Sequence, residues 1–441
     1  MVIGVFRATN VRRALSLVAI NVLVFLVAAE VLALAVFYYQ HGWLYYIDPN
    51  IPPFAAPAES RDETTLAAVG LHPYFGPIHR PGIPFDIPPE QRAPGDSSPP
   101  DKTNNIGFVS PHDYPYARRS ADEYIVGIFG GSVAAWFCEL GVARLVGDLS
   151  EQPALRGRSI VPLCFAHEGY KQPQQLLVLS YFLSIGQTFD AVVNIDGFNE
   201  VALSPINEER GFDASMPSAA HMEPLINLIN QATLTRDKIE SLTTILRLRD
   251  RLAALAARLN ATRFAAVFVV LERIYRATEQ EYQAERVRFD ALPSNPPSSS
   301  VIHVTPARRD GEGLMARVAD NWATSSAMMQ SLLASRGVKY LHVLQANQYF
   351  TSRRFSEAEA RVALAQDSPF KASVERGYPL LVKAVQSGAL GHAGVNVLDA
   401  THLFDNEPAA VYVDNCCHYT RRGNEILADA IARAVIAGYQ R

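Results

Sequence analysis

The chain has 441 residues, of which 49% are hydrophobic and 19% are charged, and its formal net charge is -4 at pH 7. This composition is typical of a folded protein with one large domain and appendages. A slight net charge without a block of Lys and Arg argues against nucleic acid as the main partner. Four cysteines are too few for a disulfide scaffold. Without a CxxC pair or a His-rich tract, the sequence predicts no metal and no cofactor.

The first predicted element is a membrane anchor. Residues 14–39 are almost wholly apolar and are long enough to cross a hydrocarbon core of roughly 30 Å. Arg7, Arg12 and Arg13 precede this segment, and no Lys or Arg follows it before Arg61. The positive-inside rule therefore predicts a cytoplasmic N-terminus and a periplasmic or otherwise extracytoplasmic main domain. A cleaved signal peptide is the alternative, but no clear small-residue cleavage site ends the segment.

Shifts in composition divide the chain into three predicted regions. Residues 1–40 form the cytoplasmic stub and the anchor, and residues 41–118 are rich in proline and turn formers, which predicts an extended arm. Residues 119–441 form the main domain. Within it, residues 205–263 break the alternation of predicted strands and helices. They predict a helical insertion, because apolar residues recur there at helical spacing: Leu242, Ile245, Leu248, Leu252, Leu255 and Leu259.

Strands and helices alternate along the main domain. Short apolar runs predict strands at 123–129, 159–165, 189–195, 264–271 and 340–344. Helical patterns follow the first strand up to about residue 149 and recur at 174–184, 314–335 and 423–437, and the stretch 292–300 reads as a loop. Such alternation is typical of an α/β fold with a parallel sheet and right-handed crossovers.

Three of the predicted strands end in residues that could carry chemistry. A Gly-Gly turn leads into Ser132, where a helix N-terminus favours a developing negative charge. Gly169 follows the second strand and can offer its backbone N–H to an oxyanion, and Asn199 follows the third and can offer its side-chain amide. Asp414 and His418 precede the last helix, and a His held by an acid beside a Ser activates a hydroxyl nucleophile.

In order and placement, Ser132, Gly169, Asn199 and His418 resemble the four blocks of the SGNH, or GDSL-like, hydrolase family over residues 119–441. The chain is most similar to bacterial, membrane-tethered members with a GGS nucleophile turn and a GFNE third block. The resemblance implies a flavodoxin-like three-layer α/β/α fold and hydrolysis of esters or thioesters, often of acetyl groups on polysaccharides. It also implies that the N–H groups of Ser132 and Gly169 and the amide of Asn199 form the oxyanion hole, with Ser132 as nucleophile and His418 as base.

The sequence departs from the family pattern in two places. Gly131 stands where the GDSL form has Asp, and Asp414 lies four residues before His418, where the family has three. Asp414 or a backbone carbonyl could therefore orient His418, or the imidazole could have no partner.

Several alternatives fit the same residues. The substrate is expected to be a small-molecule, lipid or polysaccharide ester outside the cytoplasm, but a periplasmic O-acyltransferase or a catalytically silent sugar-binding domain would use the same fold. An α/β-hydrolase is disfavoured, because its serine follows several strands and its acid lies well before its histidine. Cys138, Cys164, Cys416 and Cys417 fall near the proposed site. A disulfide from one of the first two to the His418 loop and buried free thiols both fit the sequence.

Overall fold

The computed structural model describes residues 3–42, 44–47, 54, 69–85, 102–230, 235–293, 303–308, 313–365 and 368–438. It divides the chain into a helical unit (Met1–Glu63 and Asn230–Ser300) and an α/β unit (Thr64–Ile229 and Val301–Arg441). Much of the predicted arm at 41–118 and most of the predicted loop at 292–300 lie outside the described residues.

The regular elements are numbered in chain order. The strands are β1 (Val69–His72), β2 (Gly76–His79), β3 (Glu123–Gly130), β4 (Ser159–Ala166), β5 (Ala191–Asp196), β6 (Lys339–Leu344) and β7 (Asn396–Asp399). The helices are α1 (Ile3–His41), α2 (Ser132–Leu140), α3 (Val142–Ser150), α4 (Gln174–Ser184), α5 (Phe198–Glu209), α6 (Ala219–Asn230), α7 (Arg236–Ala261), α8 (Ala265–Ala291), α9 (Leu314–Ala334), α10 (Glu357–Ala363), α11 (Lys371–Gln386), α12 (Ala389–His392) and α13 (Arg421–Ala437).

The α/β unit is built on a five-stranded sheet in the order β4-β3-β5-β6-β7, and every pair in it is parallel. Counted from β3, the strand order is 2-1-3-4-5, which is the flavodoxin-like arrangement. All residues of β3 and β5 are buried, as expected for parallel strands that are covered on both faces. The predicted α/β fold with a parallel sheet is therefore confirmed.

Two groups of helices flank the sheet. Helices α2, α3 and α13 contact one another and strands β3 to β6, whereas α4, α5, α9 and α11 contact one another and strands β6 and β7. A single hydrophobic core joins the sheet to both groups. The result is the three-layer arrangement in which apolar helix faces cover both sides of a parallel sheet.

The described part of the arm adds an antiparallel hairpin, β1–β2, to the α/β unit. Phe75, Phe108 and Tyr114 of the arm are buried in the core of that unit, and the Tyr114 hydroxyl donates to the Cys164 carbonyl oxygen at 2.9 Å. The arm thus contributes large aromatic side chains to the domain core, each of which buries considerable apolar area.

The strand predicted at 264–271 is wrong, because these residues begin helix α8. Ala265 and Phe268, one turn apart, are buried, while Val267 and Val270 are exposed. A short apolar run cannot be assigned to strand or helix by periodicity alone, and here the helix continues in more polar sequence as far as Ala291. The actual fifth strand of the sheet, β7, has only four residues, and the sequence analysis did not predict it.

The helical unit consists of α1, α7 and α8, and the amphipathic helix predicted at 242–259 is confirmed as part of α7. Within α1, Ser16–His41 is long and apolar enough to cross a membrane. Glu30 is costly in such a segment, but its carboxylate accepts from the N–H groups of Ala265 at 2.7 Å and Ala266 at 3.1 Å. Glu30 therefore satisfies two unpaired donors at the start of α8, where the helix dipole also favours a negative charge.

Candidate active site

The centre of the site is the turn from β3 into α2. Ser132 is the first residue of α2 and is partly exposed. The turn lies between β3 and β5, where the strand order reverses, which is the usual ligand site of an open α/β sheet. The fold therefore presents the Ser132 hydroxyl at the edge of the sheet where a substrate is expected.

A chain of hydrogen bonds runs from Ser132 to the loop before α13. The Ser132 Oγ lies 2.8 Å from His418 Nε2, and His418 Nδ1 lies 2.5 Å from Asp414 Oδ2. The two histidine nitrogens thus have different partners. If Nδ1 carries the imidazole proton and donates a hydrogen bond to the carboxylate, Nε2 is left as the acceptor for the serine proton.

The four-residue spacing between Asp414 and His418 is accommodated by a tight turn. Asp414 Oδ1 accepts from the backbone N–H groups of Cys416, Cys417 and His418 at 2.9, 3.0 and 3.3 Å, while its other oxygen meets the imidazole. Burial by itself would raise the pKa of Asp414. The hydrogen bond and charge of His418, together with these backbone donors, outweigh burial and lower the pKa below its ordinary value. The carboxyl is therefore ionised at neutral pH.

Trp136 stacks on the His418 ring, with the ring centroids 4.8 Å apart and the planes inclined by 19°. It lies one helical turn after Ser132 in α2, so both side chains emerge on the same face. The sequence analysis missed this residue, although its spacing from the serine was a usable signal. The indole limits the positions that the imidazole ring can take.

Asn199 lies against the nucleophile turn. Its Nδ2 donates to the Tyr170 carbonyl oxygen at 2.9 Å, and a carboxamide nitrogen carries a second N–H. A Cβ added at Gly131 would lie 2.1 Å from Asn199 Nδ2 and 3.0 Å from the Tyr170 oxygen. Glycine at 131 thus allows the Asn199 amide to pack directly against the turn that precedes Ser132.

Gly169 occupies a tight turn after β4 with φ +75°, a backbone conformation that favours glycine. A Cβ there would lie 2.5 Å from the His221 ring. Within the described part of the chain, the N–H groups of Ser132 and Gly169 have no hydrogen-bond acceptor. Two backbone donors and the Asn199 amide are therefore available at this edge of the sheet.

Glu200 links the loop after β4 to the turn after β5. Its carboxylate accepts from the Gln172 N–H and the Gly197 N–H, both at 2.8 Å, and its side chain is buried. The loop that carries Gly169 is thereby fixed to the turn that carries Asn199. The sequence analysis quoted this glutamate in the GFNE block but gave it no role. Its position three residues after Gly197 is typical of a side chain that reaches back to a helix start.

The cysteines do not pair as the sequence analysis suggested. A disulfide joins Cys138 of α2 to Cys164 of β4, so a bond to the His418 loop is excluded for both. Cys416 and Cys417 are free, with their sulfurs 3.4 Å apart. Burial is the main cause that raises the pKa of the Cys417 thiol well above its ordinary value, and the neighbouring Cys416 raises this pKa further. A neutral thiol is a weak nucleophile, which leaves Ser132 as the better candidate.

Two groups of side chains among the described residues could hold a metal ion. One is formed by Cys416, Cys417 and His418, and a metal on the His418 Nε2 would displace Ser132 from that nitrogen. The other is formed by His79, His167 and Glu168 and adjoins the turn of Gly169. The hydrogen-bonded serine, histidine and aspartate are arranged for acyl transfer by the side chains themselves.

No protein-family model and no curated protein matches the sequence. Among solved structures, a GDSL-like lipase from Bacteroides thetaiotaomicron is 9% identical, with 73% of this chain and 92% of the lipase covered and a TM-score of 0.33. A lipase from a goat rumen metagenome is 11% identical (70% and 97% covered, TM-score 0.33). A catalytic mutant of an acetylxylan esterase from Geobacillus stearothermophilus is 12% identical (71% and 94% covered, TM-score 0.31). These scores are low, and the fold and the site described above rest on this chain's own strand order and contacts.

Proposed function

We propose that the protein is a serine-dependent ester hydrolase that works through an acyl-enzyme. Ser132 is the nucleophile, His418 is the general base, and Asp414 is a positioning residue for the imidazole. The observation that carries this proposal is the continuous hydrogen-bonded chain from the Ser132 hydroxyl through both nitrogens of His418 to the Asp414 carboxylate. This constellation activates a hydroxyl group on several unrelated folds.

In the first half of the cycle, His418 Nε2 takes the proton of Ser132 while Oγ attacks the ester carbonyl carbon. The resulting imidazolium is stabilised by the ionised Asp414. His418 then gives the proton to the departing alkoxide, the carbon–oxygen bond breaks, and the acyl group stays on Ser132. Water repeats these steps with His418 as base, which releases the carboxylic acid and restores the serine.

The developing oxyanion needs donors aimed at one point. We assign this role to the N–H groups of Ser132 and Gly169 and to the side-chain amide of Asn199. The support is that Asn199 lies against the Ser132 turn and keeps one N–H beyond its bond to Tyr170. Ser132 also begins α2, whose N-terminal dipole favours negative charge.

We further propose that α1 anchors the enzyme in a membrane, with its N-terminus in the cytoplasm and the α/β unit outside. The support is the apolar Ser16–His41 segment and the arginines that precede it. On this view the substrate is an acyl or acetyl ester of an extracytoplasmic carbohydrate or lipid. The Cys138–Cys164 disulfide is consistent with an oxidising compartment.

A fluorophosphonate probe tests the activated serine directly, because the serine oxygen displaces fluoride from phosphorus only when its proton is removed. We expect the full-length, detergent-solubilised chain to form one adduct, located on Ser132 by peptide mass spectrometry. The His418→Ala variant should form none. A folded wild-type chain that stays unlabelled and does not hydrolyse acyl-ester or acetylated-sugar panels would instead support a silent binding domain.

Asn199→Ala should lower kcat by about 10²–10³-fold with a smaller change in KM, because one oxyanion donor is lost. Steady-state hydrolysis of p-nitrophenyl acetate measures the effect. Asn396→Ala is a matched control, since Asn396 also donates its amide to a backbone carbonyl, that of Ala434. Asn396 begins β7, whereas Ser132 follows the carboxyl end of β3 in the same parallel sheet. Equal activities of the two variants would remove Asn199 from the oxyanion hole.

A further inference from the structure

A cluster of histidines with one glutamate lies beside the Gly169 turn and takes no part in the proposed mechanism. His79 ends strand β2 of the arm hairpin, and His167 and Glu168 follow β4. His79 Nε2 lies 3.0 Å from Glu168 Oε2, and His167 Nδ1 lies 3.6 Å from the same oxygen. One ligand atom from each of the three residues lies within 4.8 Å of the other two.

Among the described residues, each of the two imidazoles has one nitrogen that makes a hydrogen bond and one that has no hydrogen-bond partner. His167 Nδ1 bonds to the Glu168 backbone oxygen at 2.9 Å, and His79 Nε2 bonds to the Glu168 carboxylate. His167 Nε2 and His79 Nδ1 are buried without a hydrogen-bond partner in the described part of the chain. His167 is only 2% exposed. Such unsatisfied buried atoms are unusual and require an explanation.

The hydrogen bond of His167 is that of a metal-binding histidine. A ligating imidazole usually donates its other N–H to a backbone carbonyl or a carboxylate, which fixes the ring and leaves a lone pair on the opposite nitrogen. His167 has the Glu168 carbonyl in that role, which leaves its Nε2 for a metal ion. His79 Nε2 faces the Glu168 carboxylate at 3.0 Å, so an ion bound to these two atoms would replace that hydrogen bond. Two imidazoles with one carboxylate also form a known ligand set for Zn²⁺, with a fourth position left for water.

The residues of the cluster are held together by other contacts. The rings of His79 and His167 lie with their centroids 4.4 Å apart. Tyr170 packs against His167 and donates its hydroxyl to the Pro77 carbonyl oxygen of β2 at 2.8 Å. The hairpin and the loop after β4 are therefore already joined at this point. Preorganised ligands of this kind need little rearrangement on binding.

From these observations we infer that His79, His167 and Glu168 form a binding site for a divalent transition-metal ion of the Zn²⁺ type. The ion would fasten the arm hairpin to the loop that carries Gly169. The inference concerns binding and does not depend on the proposed hydrolysis. Carboxylate and imidazole ligands favour zinc and its first-row neighbours over calcium and magnesium, which prefer sites made wholly of oxygen.

Zinc titration of the full-length chain in detergent tests the inference. After removal of metals with EDTA and exchange into metal-free buffer, we expect the chain to bind one Zn²⁺ in competition with a fluorescent zinc indicator, and its Tm to rise with zinc. His79→Gln and Glu168→Gln should each weaken binding by about 100-fold or more. His72→Gln is the matched control, because His72 lies in the same hairpin but stacks on Phe75, and it should bind zinc like the wild type.

X-ray absorption of the zinc-loaded chain identifies the ligands directly. We expect only nitrogen and oxygen neighbours at about 2.0–2.2 Å. Sulfur neighbours at about 2.3 Å, or binding that is lost in Cys416→Ser but kept in Glu168→Gln, would place the ion at the Cys416–Cys417 pair and overturn the inference. Failure of the folded wild-type chain to bind zinc would overturn it as well. Circular dichroism of each variant shows whether a loss of binding is separate from a loss of fold.

Discussion

Replacing Ser132 with alanine should reduce kcat for ester hydrolysis by about 10⁶-fold, as happens when the nucleophile of a serine triad is removed. Alanine leaves the imidazole without a hydroxyl group to activate, and no acyl-enzyme can form. The fold should be unchanged, because Ser132 is partly exposed and alanine is well accepted in a helix. Hydrolysis of p-nitrophenyl acetate, with Tm measured on the same preparation, gives both results.

Three further variants make this result specific. Ser180→Ala removes a hydroxyl that donates to the Leu176 carbonyl oxygen within α4, and it should retain full activity. The double variant Ser132→Ala with His418→Ala should be no worse than Ser132→Ala alone, since the two groups act as a unit. Full hydrolysis by folded Ser132→Ala, with loss in Cys417→Ala, would instead identify the buried thiol as the nucleophile.

Asp414→Asn should lower kcat by about 10⁴-fold while leaving the fold intact. The asparagine oxygen can still accept from the N–H groups of Cys416, Cys417 and His418, so the turn is kept. Its amide nitrogen, however, donates where the carboxylate accepted. His418 Nδ1 must then accept, the proton moves to Nε2, and the base can no longer take the serine proton.

Asp405→Asn is the matched control for this change. Asp405 also bonds through one oxygen to a histidine, His402, at 2.8 Å, and through the other to the Ser352 N–H and the Thr351 hydroxyl. We expect unchanged hydrolysis in Asp405→Asn. The pH profile of kcat/KM for Asp414→Asn should also differ in shape from that of the wild type, because the tautomer of the base has changed. A loss below about tenfold, with an unaltered profile, would show that a backbone group orients His418 instead.

The sequence by itself determined the central strands and the positions of the candidate site residues. Strands β3, β4 and β5 are short, apolar and largely buried. Glycine and polar residues follow each of them and indicate where the strand ends. Because the carboxyl ends of parallel strands share one edge, local motifs at 132, 169 and 199 could be placed together without knowledge of remote contacts.

Other features depend on how distant segments pack. The apolar run at 264–271 has no local signal that separates strand from helix, and its helical form follows from packing within the helical unit, where Glu30 accepts from the first N–H groups of α8. The same applies to Cys138. Its pairing with Cys164 requires α2 to lie beside β4 with the two Cα atoms 6.2 Å apart, a distance that no spacing along the chain reveals.

The contact between Asp414 and His418 shows most clearly which features follow from the sequence and which depend on the tertiary structure. The residue types predicted an acid and a base, but the four-residue spacing left the partner of the imidazole open. Only the folded turn brings the Asp414 carboxylate to Nδ1, and only the approach of α2 to the loop before α13 brings Ser132 to Nε2 and Trp136 onto the ring. Short-range propensity and polarity are properties of a sequence segment, whereas hydrogen-bond partners separated by hundreds of residues are set by the packing of the whole domain.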